Sequence, residues 1–215
     1  MARLDTRTVF SHALQTLLSF DGTWLRTIKE LLLRPGALIL AYHAGARDRY
    51  VNPVLLVIVS YTFYFLLCHW LGIDPFASVG GTHNMDQPVL TFITNYSGQL
   101  SVLTAYPAAM LMRRFWPGTT TAERYVALLY VQSLSGFTSI ALALVTALGI
   151  GYGTSVSYLL SFAAAIYAFA GVRQPWWKGA LTGVAASLCY LVVVFGVAFV
   201  VGIVGVLVFG LGKPA

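Results

Sequence analysis

The residues able to do chemistry are few and scattered. His69, Asp74, His83 and Asp86 fall within eighteen positions of one another. A zinc site needs at least three converging ligands, and this spacing fits no finger or zincin pattern. The sequence contains no HExxH, GxSxG, Walker-type or EF-hand pattern. Cys68 and Cys189 stand in apolar runs without CxxC spacing and read as small apolar side chains. His12 and His43 read as interfacial polar groups. With no nucleophile–base pair and no carboxylate cluster, the expectation is a protein that is not an enzyme and that takes no metal or cofactor.

Two sets of residues have more organised spacing. Gln132, Ser135, Gly136 and Ser139 fall on one helical stripe, continued by Ala143 and Thr146. Such a stripe could wall a groove for a lipid headgroup or another amphiphile. It equally suits close helix packing through small residues, which is the preferred reading. Gly179-x-x-x-Gly183 reads as packing in the same way. The second set is cationic and lies near the start of the chain, with Arg34, Arg47 and Arg49 as its main charges.

The elements that must position these residues follow from composition. Of 215 residues, 58% are hydrophobic and only 9% are charged, against roughly 25% charged in a soluble domain. Mean hydropathy is +0.78. So few charges cannot cover a water-soluble globule, so the composition excludes a soluble enzyme, a disordered chain and a disulfide-built secreted domain. The expected class is all-α: a polytopic membrane helical bundle of about five transmembrane helices, preceded by cytoplasmic amphipathic helices.

Residues 1–52 form the expected interfacial segment and 53–215 the expected five-span domain. Residues 1–20 lack a continuous apolar core and do not read as a signal peptide. Phe10, Ala13, Leu14, Leu17 and Leu18 mark one apolar stripe. Asp21 or Thr23 can cap a helix over Trp24 to Arg34. There Trp24, Leu25, Ile28, Leu31 and Leu32 share a face, and Arg26–Glu30 and Glu30–Arg34 stand at i,i+4. Pro35-Gly36 breaks it, and a short helix follows over 37–46. Asn52-Pro53 is a start signal, with Asn as cap and Pro in the first turn. Spans are expected over 53–73, about 98–112 (starting as early as Val89, with Pro107 inside), 125–148, 154–172 and 180–211. The last exceeds a roughly 30 Å core and must tilt, protrude or break, with Gly202 and Gly205 as its weak points.

The net charge of +6 is to be read by position, and not as a nucleic-acid footprint. With the N-terminus in the cytoplasm, residues 1–50 carry seven basic residues, 113–124 three and 173–178 two; only Lys213 falls outside. Twelve of thirteen on one side is a strong positive-inside pattern for an N-in, C-out chain. No span carries a charge well inside it, which lowers the prior for an ion-coupled pump.

The run FDGTWLRTIKELLLRPGALILAYHAGARDRYVNP, residues 20–53, resembles the opening of an uncharacterised bacterial family, domain of unknown function 3667. Leu31, Leu32, Arg34, Pro35 and Gly36 match its LLxRPG turn; Tyr42, Gly45, Arg47, Arg49, Tyr50, Asn52 and Pro53 match the run that follows. Weaker likeness continues at 122–125 and 167–177. The layout is also distantly similar to the Yip-type five-span domain. The resemblance implies a bacterial inner membrane and supplies no reaction. The expected role is a non-enzymatic component binding membrane lipid, including anionic lipid, or a protein partner or second copy through the Arg34–Pro53 collar. The rival is a small lipid or amphiphile transporter using a groove beside the third span.

Overall fold

The computed structural model describes residues 22–75, 87–150 and 154–209, without the side chains of 87–93, 154–155 and 198–209. The expected helix over 8–20, His12, His83, Asp86 and Lys213 lie outside the described residues. Within them the chain is helical: α1 (Gly22–Leu33), α2 (Pro35–His43), α3 (Pro53–Leu71), α4 (Gln87–Leu111), α5 (Thr121–Ala147), α6 (Thr154–Ala170) and α7 (Trp176–Phe209). No strand occurs among the described residues.

Local signals set the helix ends. Arg34 leaves the helical region at φ −148°, ψ 57°, and Pro35 opens α2 at a first-turn position where its missing N–H costs nothing. Asn52 caps α3, its Oδ1 accepting from the Val54 N–H at 2.9 Å. Gly72 closes α3 in the left-handed region, φ +64°, where a side chain would be strained. Thr120 and Glu123 form a reciprocal capping box at the start of α5.

Among the described residues three stretches are long and apolar enough to cross a membrane: Arg47–Leu71, Thr121–Ala147 and Trp176–Val197; Val156–Ala170 of α6 is a shorter apolar helix. The two remaining expected spans differ for physical reasons. The 25 residues of α4 hold several polar side chains, among them Thr94, Asn95, Gln99 and Ser101. The 17 residues of α6 reach only about 25 Å. The weak points expected at Gly202 and Gly205 lie inside α7, whose backbone is helical without interruption from Trp176 to Phe209.

The bundle is organised around α5, where Ala127 through Gly136 are all buried. A helix buried on every face belongs at the centre, and α3, α4 and α6 pack around it, with α7 against α6 and α4. Small residues permit these approaches. A Cβ on Gly136 would lie 2.6 Å from Ser60 Oγ of α3, and one on Gly183 of α7 2.7 Å from the Ala165 carbonyl oxygen of α6. Gly98 of α4 meets Ile58 of α3 in the same way.

Placing leucine at Gly183 therefore forces α6 and α7 apart. Gly183→Leu is expected to lose about 1–3 kcal/mol and to lower the thermal midpoint in detergent. Gly196→Leu, with nothing within 4 Å of its added Cβ, leaves the midpoint close to wild type.

Candidate functional site

The segment from α1 to the start of α3 is stapled to one end of the bundle. Thr27 is fully buried; its hydroxyl donates to the Thr23 carbonyl at 2.7 Å and accepts from the Val51 N–H at 3.0 Å. The Val51 carbonyl in turn accepts from the Tyr130 hydroxyl of α5 at 3.1 Å. Tyr42 meets the Tyr130 ring edge-on at 5.5 Å. Gly36 lies against the backbone of Gly171 so closely that no Cβ fits. The Tyr167 hydroxyl donates to the Leu33 carbonyl.

These contacts divide the expected collar residues in two. Pro35, Gly36 and Pro53 are buried, Gly45 holds φ +99°, and Asn52 is a cap. Tyr50 is half-buried and donates from its hydroxyl to Glu30 Oε2 at 2.8 Å. Each of these side chains, with Tyr42, is accounted for by packing or backbone geometry. Arg34, Arg47 and Arg49 are exposed. Only Arg47 has a described partner, its guanidinium carbon 6.0 Å from the Tyr42 ring centroid.

Two expectations for α1 are corrected. Its buried face is Trp24, Thr27 and Leu31, while Leu25 and Leu32 are exposed. The Glu30 carboxylate, at i,i+4 from both Arg26 and Arg34, accepts from the Tyr50 hydroxyl. Thr23 does not cap the helix but lies within its first turn.

The collar rests on a loop that is itself held by arginines. Arg124 is only 3% exposed. It donates to the Trp116 carbonyl at 3.4 Å and to Thr121 Oγ1 at 3.1 Å, and its Nε has no acceptor among the described residues. Arg173 donates to the neighbouring Phe115 carbonyl at 3.2 Å. Sequence reading counts Arg124 as one more loop charge. Its burial depends on the fold of 116–121 over it, and no spacing in the sequence signals that.

The polar stripe of α5 closes against α3. Gln132 and Ser135 are buried, and Gln132 Oε1 accepts from the Tyr61 hydroxyl at 3.2 Å. The Ser139 hydroxyl bonds back to the Ser135 carbonyl at 3.0 Å, and Gly136 sits on Ser60. At Gln132 and Gly136 the stripe meets α3 directly, in the manner of small-residue seams in helical bundles. Among the described residues, no three of His, Cys, Asp or Glu gather as a metal site would need.

Residues 21–65 match the family model described as Protein of unknown function (DUF3667). The family resemblance is shown over that segment. It covers the collar and most of α3; the weaker likenesses at 122–125 and 167–177 and the Yip-type similarity fall outside what this match shows. No curated protein and no solved structure matches the chain.

His43 supplies a pH-dependent contact. Its ring lies 6.4 Å from Trp116, and its Nε2 is buried without a hydrogen-bond partner among the described residues. Burial holds its pKa below the ordinary 6.5, opposed by the Glu123 carboxylate and aided by Arg47. Between the lowered folded value and 6.5 the unfolded chain binds the extra proton, so stability falls as pH falls through that window. The thermal midpoint in detergent is expected to drop between pH 7.5 and pH 5, and the drop to shrink in His43→Leu. An equal drop in that variant would remove His43 as its source.

Proposed function

We propose that the chain is a non-enzymatic, five-span membrane component whose collar binds anionic lipid headgroups on the cytoplasmic side. The bacterial inner membrane is the setting that the family resemblance favours. One observation carries the reading: ten described Lys and Arg residues gather at the collar end of the bundle, against three carboxylates there, Glu30, Asp48 and Glu123. Glu30 and Glu123 already serve Tyr50 and Thr120. Among the described residues the cations at this end outnumber the carboxylates, and phosphate is the abundant anion at a bilayer surface.

Exposed leucines lie beside these cations. Leu25 and Leu33 of α1 are 63% and 60% exposed, and Leu40 of α2 is 45% exposed. Leucine next to arginine at a surface suits the headgroup–acyl boundary, where one inserts and the other reaches phosphate. Trp176 and Trp177, both exposed, suit the same level. The match at residues 21–65 adds no activity to this reading.

The test is lipid enrichment. Wild-type protein and the triple variant Arg34→Gln, Arg47→Gln, Arg49→Gln are reconstituted in phosphatidylcholine containing a minor fraction of phosphatidylglycerol. They are then extracted as native-lipid particles, and the two lipids are quantified. Each exposed cation contributes at most about 1 kcal/mol before screening. Wild type is expected to enrich phosphatidylglycerol several-fold at low salt and less at high salt. The triple variant inserts equally but stays near the bulk ratio. Undiminished enrichment in the variant would defeat the collar as the binding surface.

A further inference from the structure

A second candidate surface lies beside the end of α4 and is lined by none of Arg34, Arg47 and Arg49. A lateral cavity of about 700 Å³ opens between the end of α4 and the outer face of α7. Its floor is a stripe of α7 that includes Leu181, Leu188, Cys189 and Val192, with Leu111 of α4 opposite and Arg114 at its head. The first and last of the α7 residues are eleven positions apart, so the groove runs roughly 16 Å along the helix. That is about half of a roughly 30 Å hydrocarbon core, the depth of one leaflet.

The two ends differ in chemistry. Along its length the lining is apolar, and Leu188 and Val192 are exposed at 53% and 65%. At its head stands Arg114, and the two adjoining segments, 113–119 and 173–178, also carry Arg113, Arg173 and Lys178 and contain no Asp or Glu. Arg173 bridges these segments, donating to the Phe115 carbonyl at 3.2 Å and to Thr182 Oγ1 of α7 at 3.4 Å. Thr182 directly follows Leu181 of the groove floor, so the cationic head is fixed to the apolar slot below it. Phe115 lines the cavity and ties the two together.

We propose that this groove seats one acyl chain of an anionic phospholipid, with its phosphate at Arg114. The length matches one leaflet, the lining matches hydrocarbon, and the charge at the mouth matches phosphate. The site goes beyond the collar: it uses different residues, and its lipid is a single seated molecule, whereas the collar attracts a salt-screened population of headgroups.

Native mass spectrometry of detergent-purified protein after a high-salt wash tests it. The protein is offered phosphatidylglycerol or phosphatidylcholine with identical chains. Wild type is expected to retain one phosphatidylglycerol per chain, with a preference of about tenfold over phosphatidylcholine, equivalent to one charge-assisted contact. Arg114→Gln removes the preference without removing weak binding of either lipid. Leu188→Trp fills the slot and loses both. The Arg34, Arg47, Arg49 triple variant keeps the retained lipid, which separates this site from the collar. Equal retention of both lipids by wild type, no retained lipid at all, or wild-type retention and preference in either groove variant overturns the proposal.

Discussion

Charge cannot enter hydrocarbon cheaply, and that cost orders this chain. Every described Lys and Arg lies in α1, in the 47–49 turn, or at a helix end or loop beside them. The lengths of α3, α5 and α7 between those points are free of charge. The collar is then a consequence. It carries Arg26, Lys29, Arg34, Arg47 and Arg49 and must pack where the loops after α4 and α6 return. Thr27, Tyr50, Tyr130 and Tyr167 make the hydrogen bonds that fix it there.

The same constraint explains the unusual bonding at that end. With three carboxylates for ten cations among the described residues at that end, arginines turn to backbone carbonyls. Arg124 takes the Trp116 carbonyl and Arg173 the adjacent Phe115 carbonyl, in the loop whose Trp116 ring meets His43 and Phe169. A buried cation with only neutral acceptors is costly. Its position at the foot of the central helix ties the loop and the bundle core into one unit.

Much of this was legible beforehand. Asn52-Pro53 gave the start of α3, Pro35-Gly36 the break between α1 and α2, and charge-free runs the helices of the bundle. What was not legible has one physical source. In water, an apolar stripe faces protein; in a membrane, lipid and protein interior are equally apolar. Periodicity therefore shows that Leu25 and Leu32 are apolar without showing that they face outward while Thr27 faces in. For the same reason the stripe through Gln132, Ser135 and Ser139 does not itself name the side chains it meets; Ser60 and Tyr61 of α3 lie against Gly136 and Gln132. The burial of Arg124 and the capture of Glu30 by Tyr50 depend on contacts made by distant segments, which local spacing does not encode.

The claim beneath all of this is that the collar, the loop after α4 and the start of α7 share one face of the membrane. Single cysteines at positions 49, 114 and 178, in a background with Cys68 and Cys189 replaced by serine, report on it directly through a membrane-impermeant maleimide. All three are expected to react from the same side, remaining protected in sealed cells and labelling together in inverted vesicles. Labelling of any one of them from the opposite side to the other two would contradict the arrangement.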